Sequence, residues 1–103
     1  MSLSNDQKKH FRSIGHQLNP VVLVAEKGLT TGVIAEIERA LQDHELIKVR
    51  FSISDREQRD ALIEQAAQQV NALIVQKIGK VVLYYRKAAK PNAKLSNLTR
   101  FSD

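Results

Sequence analysis

A valine-rich strand, a short glycine-containing loop and a threonine pair form the part of this chain best suited to hold a ligand. The predicted strand is Val21–Val24, the loop runs from Ala25 to Gly28, and Thr30 or Thr31 opens an amphipathic helix. The first amides of a helix have no intrahelical acceptor, and the helix dipole adds partial positive charge there. The pattern favours an anion such as phosphate, and the alternative is an ordinary strand-to-helix joint.

Basic residues fall into three sets that could contact a polyanion. One set is on the predicted first helix, one is in the loop, and one is on or beside the predicted strands. The sets are Lys8, Lys9 and Arg12; then Lys27; then Lys48, Arg50, Lys77, Lys80 and Arg86. Each set alone is typical of a solvated surface. Together with a helix N-terminus, they predict a surface that follows a phosphate backbone.

The net charge of +5 is distributed unevenly along the 103 residues. Residues 1–64 hold nine Lys/Arg against ten Asp/Glu, whereas residues 65–103 hold seven against one. A basic C-terminal part favours a polyanionic partner, which is either nucleic acid or an anionic surface. The alternative is a basic tail that only aids solubility.

Other classes of function lack the residues that they need. His10, His16 and His44 are far apart in the sequence, there is no cysteine, and the loop has neither a P-loop ending nor a dinucleotide fingerprint. No apolar run approaches the roughly 20 residues of a membrane span. We therefore predict a protein that is not an enzyme, that uses no cofactor, metal, membrane or small-molecule substrate, and that is a cytoplasmic monomer.

Hydrophobic spacing predicts the elements that must position these residues. Phe11, Ile14 and Leu18, for example, form one helical stripe, and residues 47–53 alternate between apolar and polar side chains. The predicted helices are 5–17, 31–42 and 55–70, and the predicted strands are Val21–Val24, Leu46–Ile53, Leu73–Ile78 and Val81–Arg86. Ser4 with Gln7 and Asp55 with Gln58 predict capping boxes, and Gly79-Lys80 predicts a type II′ hairpin turn.

The order α-β-α-β-α-β-β predicts a single compact α/β domain with three helices and a four-stranded mixed sheet over residues 1–87. Val21–Val24 is apolar on both faces, which is typical of a central strand covered on both sides. Tyr84 and Tyr85 point to opposite faces, so one of them could be an exposed stacking platform. Residues 88–103 lack periodicity and predict a basic, loosely ordered tail.

Several stretches, spread over about residues 3–87, together carry a resemblance to a known family. They are Leu3-Ser4 with Gln7-Lys8, Leu18-Asn19-Pro20-Val21-Val22, Gly28-Leu29-Thr30 through Glu36-Ile37-Glu38, His44-Glu45-Leu46-Ile47-Lys48-Val49, Asp55-Arg56-Glu57, Ile78-Gly79-Lys80 and Tyr85-Arg86. On these residues the chain resembles the small bacterial YhbY proteins, the stand-alone form of the CRM (chloroplast RNA splicing and ribosome maturation) domain.

The resemblance implies a fold similar to the C-terminal domain of bacterial translation initiation factor three. It also implies an RNA-binding module that associates with precursors of the large ribosomal subunit and assists ribosome assembly. The family's GxxG loop, used as in KH domains, falls here on Ala25-Glu26-Lys27-Gly28, with alanine in place of the first glycine.

The candidate RNA-binding residues follow from the basic sets and the resemblance together. They are Lys8, Lys9, Arg12, Lys27, Gly28, Thr30, Thr31, Lys48, Arg50, Lys80 and Arg86. Two alternatives stay open at this point. The first helix could bind RNA without the loop, or the protein could be an interaction module whose basic tail meets an acidic partner.

Overall fold

The sheet contains four strands in the order β1-β2-β4-β3, with β1 parallel to β2 and the other pairs antiparallel. The computed structural model describes residues 2–101, so the last two residues of the predicted tail lie outside the described part. The elements are α1 Asn5–Gly15, β1 Pro20–Val24, α2 Thr31–His44, β2 Leu46–Phe51, α3 Arg56–Gln69, β3 Leu73–Ile78, β4 Val81–Tyr85 and α4 Asn97–Arg100. The predicted α/β class and mixed sheet are confirmed, and α4 is an additional short helix.

The sheet separates two layers of apolar side chains. On its inner face, α2 and α3 cover the strands, and the buried cluster includes Val24, Val49, Phe51, Val82 and Tyr84 with Ile37, Leu41 and Ile63 from the helices. On its outer face, α1 covers part of the strands, and the buried cluster is Phe11, Ile14, Leu46, Val75, Leu83 and Tyr85. Alternate residues of β2 and β4 therefore face different layers, as the period of a strand requires.

Strand β1 is an edge strand, so the prediction of a central strand covered on both faces is wrong. Val22 and Val24 are buried on the inner face, whereas Val21 and Leu23 are 51% and 57% exposed on the outer face. The reason is that β1 pairs only with the second half of β2, from Lys48 onward, while α1 packs over the other half of the sheet.

The helix starts show one capping box where two were predicted. Ser4 Oγ accepts from the amide of Gln7 at 3.1 Å, and Gln7 Oε1 accepts from the amide of Ser4 at 2.9 Å. The predicted box at Asp55 is wrong, because that side chain makes no capping hydrogen bond and is exposed to solvent. Water can satisfy the first amides of α3 at such an exposed position.

Both tyrosines of β4 are buried, so neither is the exposed stacking platform that the sequence allowed. The Tyr84 hydroxyl donates to the carbonyl oxygen of Ile63 at 2.8 Å, and Tyr85 packs against Phe11 with ring centroids 4.7 Å apart. Burial, followed by the nearby charge of Glu64, raises the pKa of the Tyr84 phenol. Tyr84 therefore belongs to the apolar layer on the inner face of the sheet, and Tyr85 belongs to the layer on the outer face.

The C-terminal segment, residues 88–101, docks on the junction between α2 and β2. The Glu45 carboxylate accepts from the amide of Ala88 and from the hydroxyl of Ser96, both at 2.8 Å. The Asn97 side-chain amide donates to the carbonyl oxygen of Leu46 at 2.7 Å. The structure therefore differs from the loosely ordered tail that the sequence predicts, because buried polar groups of Glu45, Ser96 and Asn97 hold this segment to the domain.

His44 adds a further contact at the same junction. Its Nδ1 lies 2.8 Å from the carbonyl oxygen of Leu95, which is a hydrogen bond to the backbone across 51 positions of sequence. The next residue, Glu45, ends α2 with a left-handed φ of 63°, which turns the chain directly into β2. The junction thus serves as the anchor for the C-terminal segment.

Replacing Ser96 with alanine tests this docking. Ser96→Ala removes a donor from the buried Glu45 carboxylate, and an unsatisfied buried acceptor costs about 1–3 kcal/mol. We expect the free energy of unfolding, measured by urea denaturation, to fall by about that amount. Ser13→Ala is the matched control on the exposed side of α1 and should leave stability unchanged or slightly higher. An equal effect of the two variants would contradict the docking.

Candidate functional site

Three chain connections meet at one end of the sheet, which we call the loop end. They are residues 25–30 after β1, residues 52–55 after β2, and the turn at 79–80 between β3 and β4. The amide of Ser52 donates to the carbonyl oxygen of Val24 at 2.8 Å, and the amide of Phe51 donates to that of Lys80 at 2.7 Å. These bonds hold the three connections side by side.

The loop that corresponds to the GxxG motif is a tight turn. The amide of Gly28 donates to the carbonyl oxygen of Ala25 at 2.8 Å, and Gly28 has a φ of 77°, which favours glycine. Among described residues other than glycine, only Glu45 and Asn71 have a positive φ, so Ala25 does not. Alanine is therefore accommodated at the first motif position without backbone strain.

The N-terminus of α2 presents amides at the loop end. The amide of Thr30 donates to the carbonyl oxygen of Gly28 at 3.1 Å, and the amide of Val33 donates to the Thr30 hydroxyl at 3.2 Å. Thr31 and Gly32 supply the other amides of the first turn, which have no intrahelical acceptor. Both residues are exposed, and the exposed Lys27 precedes them in the same loop. An anion fits this position.

Two more basic side chains border the loop end. Arg50, the last outward-facing residue of β2, is exposed, and its Nε donates to Ser52 Oγ at 3.1 Å. That bond holds the guanidinium near the loop while its two Nη groups can donate elsewhere. Lys80 is exposed in a hairpin turn whose Gly79 has a φ of 57°, consistent with the predicted type II′ geometry.

Glu26 is the acidic residue within the loop itself. Its Oε1 accepts from the amide and from the hydroxyl of Ser54, each at 3.3 Å. The carboxylate is thereby directed toward the connection before α3 and links two of the three connections. Its negative charge is engaged with donors of the protein rather than directed at the first turn of α2.

The remaining basic candidates lie on the outer face of the sheet. Lys48 is a half-buried outer-face residue of β2, one pleat away from Arg50. Helix α1 lies on the same face, at the half of the sheet farther from the loop end; Lys9 is exposed there, and Lys8 and Arg12 are half-buried. The structure therefore brings Lys27, Arg50 and Lys80 to the loop end and leaves the α1 residues separate from it.

Arg86 is a candidate whose guanidinium donates hydrogen bonds within the fold. Its guanidinium donates to Glu38 Oε2 and to the carbonyl oxygen of Val70, both at 2.9 Å, and to the carbonyl oxygen of Glu38 at 3.3 Å. These bonds tie β4 to α2 and α3. Arg86 therefore has a structural role, and its contact with RNA stays a prediction that these bonds disfavour.

Two further observations concern possible metal and small-molecule sites. Among residues 2–101, no three His, Asp or Glu side chains are grouped so that they could hold a metal ion. A depression of ≈ 710 Å³, lined by Gln68, Leu73 and Arg86 among others, lies away from the loop end and involves none of the other candidate residues.

No helix within the described residues is long and apolar enough to cross a membrane.

Sequence reasoning missed the two serines that organise the loop end. Ser52 holds Arg50, and Ser54 holds the carboxylate of Glu26. The only available signal was their location at the end of the predicted strand Leu46–Ile53, where short hydroxyl side chains often bond nearby groups.

The fold and the loop end together define a class of protein: a small single-sheet α/β domain with basic side chains and helix N-terminal amides at one edge. The chain belongs to the CRS1/YhbY (CRM) domain family, whose model matches residues 3–86. It is similar over 102 residues, at 55% identity, to a Pseudomonas aeruginosa protein named "Probable RNA-binding protein", covering 99% of this chain and 98% of that one.

Two further relatives support the same family. A Haemophilus influenzae protein named "RNA-binding protein" is 42% identical over 94 residues, which cover 91% of this chain and 95% of that protein. The solution structure of a hypothetical protein from Staphylococcus aureus is similar in fold, with a TM-score of 0.74 and 27% identity. The similarity covers 86% of this chain and 93% of that one.

The left-handed turn residue gives a stability test of the loop. A Cβ at Gly28 would meet only Leu62, at 3.8 Å, so Gly28→Ala is opposed by its φ of 77° rather than by a clash. We expect a loss of about 1–2 kcal/mol in the free energy of unfolding. Gly32→Ala is the matched control in the first turn of α2, and it should preserve or raise stability. Equal losses in urea denaturation would contradict the turn geometry.

Proposed function

We propose that this protein binds RNA through the loop end and the outer face of its sheet. The observation that carries the proposal is that Lys27, Arg50 and Lys80 lie at the same end of the sheet as the first-turn amides of α2. Basic side chains and helix N-terminal amides are the groups that proteins use to hold phosphates. The names of the relatives from Pseudomonas and Haemophilus support RNA as the polyanion.

In this proposal the contacts run along the RNA backbone. Lys27, with the turn at Gly28 and the amides of Thr31 and Gly32, holds one phosphate, and Arg50 and Lys80 neutralise its neighbours. Farther along the outer face, the contacts pass Lys48 and reach the basic residues of α1, namely Lys8, Lys9 and Arg12. Such contacts fix the position of the RNA but carry little sequence information.

We further propose that the RNA is ribosomal and that the protein assists assembly of the large subunit in the cytoplasm. The support for this part is the resemblance of the chain to the YhbY proteins. The proposed function includes no catalysis, because the groups at the loop end are suited to hold phosphate and form no nucleophile–base pair.

A second candidate is a protein-interaction module whose C-terminal segment meets an acidic partner. The observation in its favour is that Lys87, Lys90 and Lys94 are exposed on or beside the docked segment. Deleting the segment would also expose the polar groups that hold it, so neutralising its charges is the cleaner way to separate the two functions.

Neutralising the loop end should weaken RNA binding. For Lys27→Gln with Lys80→Gln, a loss of about 1 kcal/mol per phosphate contact predicts up to about thirtyfold weaker binding to a labelled single-stranded RNA. The slope of log affinity against log salt should flatten by about 1.4, which corresponds to two contacts. Fluorescence anisotropy at several salt concentrations measures both quantities.

The control for that measurement is Lys90→Gln with Lys94→Gln, which changes the charge equally on the C-terminal segment. It should leave RNA affinity within about threefold. A large loss from this control and none from the loop-end variant would contradict the proposal and assign RNA binding to the C-terminal segment instead.

The ribosomal part is tested by sedimentation of a cell lysate through sucrose gradients. We expect the protein to migrate with large-subunit precursor particles at low salt and at the top of the gradient at high salt, because the contacts are electrostatic. The Lys27→Gln, Lys80→Gln variant should leave the particles at a lower salt concentration. A protein that stays at the top at every salt concentration would contradict the ribosomal assignment.

A further inference from the structure

The outer face of the sheet is uncovered next to the loop end. One residue from each strand forms a row across it: Leu23 pairs with Arg50, Arg50 with Val81, and Val81 with Ile78. We call these four residues the open row. Since strands are about 4.8 Å apart, the row spans roughly 14 Å, and α1 covers only the strand positions beyond it.

The open row concentrates the exposed apolar side chains of the protein. Leu23 is 57% exposed and Ile78 is 62% exposed, and Val21, which is 51% exposed, lies beside them on the same face. Among the described residues, the only further exposed large apolar side chain is Leu95, which is 38% exposed. Such clustering marks a contact surface, whereas single exposed apolar side chains need no explanation.

The centre of the open row is cationic. Arg50 pairs with Leu23 on one side and with Val81 on the other, and its bond to Ser52 holds the guanidinium on the loop-end side of the open row. A shallow depression of ≈ 360 Å³ continues the surface toward α1, and its lining includes His16, Lys48, Ile78 and Val81. The outer-face positions of the open row and of the next row carry no carboxylate.

We propose that the open row seats the bases of an unpaired RNA segment, an inference that rests on the proposed function. A planar guanidinium between aliphatic side chains can receive the faces of splayed bases, and the adjoining loop end holds their backbone. A duplex keeps its base faces stacked inside, so it would meet the apolar side chains only with phosphates and sugars. The proposed ligand is therefore single-stranded where it crosses the sheet.

The test compares single-stranded RNA with a duplex of the same sequence. Leu23→Thr with Ile78→Thr removes apolar surface and keeps a residue type that favours strands. We expect at least tenfold weaker binding to the single strand, no change with the duplex, and an unchanged salt slope, all measured by fluorescence anisotropy. Leu95→Thr is the matched control outside the open row, and it should bind both RNAs as the unchanged protein does.

A second variant tests the proposal by a gain of affinity. Leu23→Tyr adds an aromatic face at the same exposed position and should tighten binding to the single strand at least threefold. Unchanged single-strand affinity in both variants, or an equal loss for the single strand and the duplex, would overturn the inference and leave the open row to a protein partner. If the unchanged protein binds neither RNA, the proposed function itself fails.

Discussion

The parallel pairing of β1 with β2 is the constraint on which the candidate site depends. Two parallel neighbours end at the same edge of the sheet, so the loops that follow them must lie together. Because β4 runs antiparallel to β2, its hairpin turn arrives at this edge as well. Lys27, Arg50 and Lys80, which are up to 53 positions apart in the sequence, are brought to the same edge of the sheet by these pairings.

The same pairing explains why part of the sheet is open. Strand β1 extends only along the second half of β2, so the sheet has four strands near the loop end and three beyond it. Helix α1 packs on the narrower part, and its Gly15 lies directly against Leu83. A helix of 11 residues lying there leaves the wider part uncovered on its outer face.

Local patterns in the sequence were sufficient to predict most helices and strands, but not to predict which strands pair with each other. The period of Phe11, Ile14 and Leu18 and the Gly79-Lys80 turn predict structure from adjacent residues, and the structure contains both the helix and the hairpin. Whether β1 is central or at an edge depends on which strands pair, and the valines of β1 suit either position. The sequence therefore predicted the sheet without predicting its open row.

Partners that are distant in the sequence account for the other differences. Arg86 looks like any basic residue in a basic stretch, and only the folded chain brings it to Glu38 and Val70. The docking of the C-terminal segment likewise depends on Glu45, 51 positions before Ser96. A buried carboxylate is stabilised by its donors, so these contacts decide which charges serve the fold and which are free to meet a ligand.

The role of the loop end is tested most directly by locating the bound RNA on the protein. Amide resonances of the ¹⁵N-labelled protein can be followed by NMR during titration with a single-stranded RNA. We expect the largest shifts at Gly28, Thr31, Gly32, Arg50 and Lys80, with little change at Arg86. Shifts confined to α1 or to the C-terminal segment would contradict the assignment of the loop end as the RNA site.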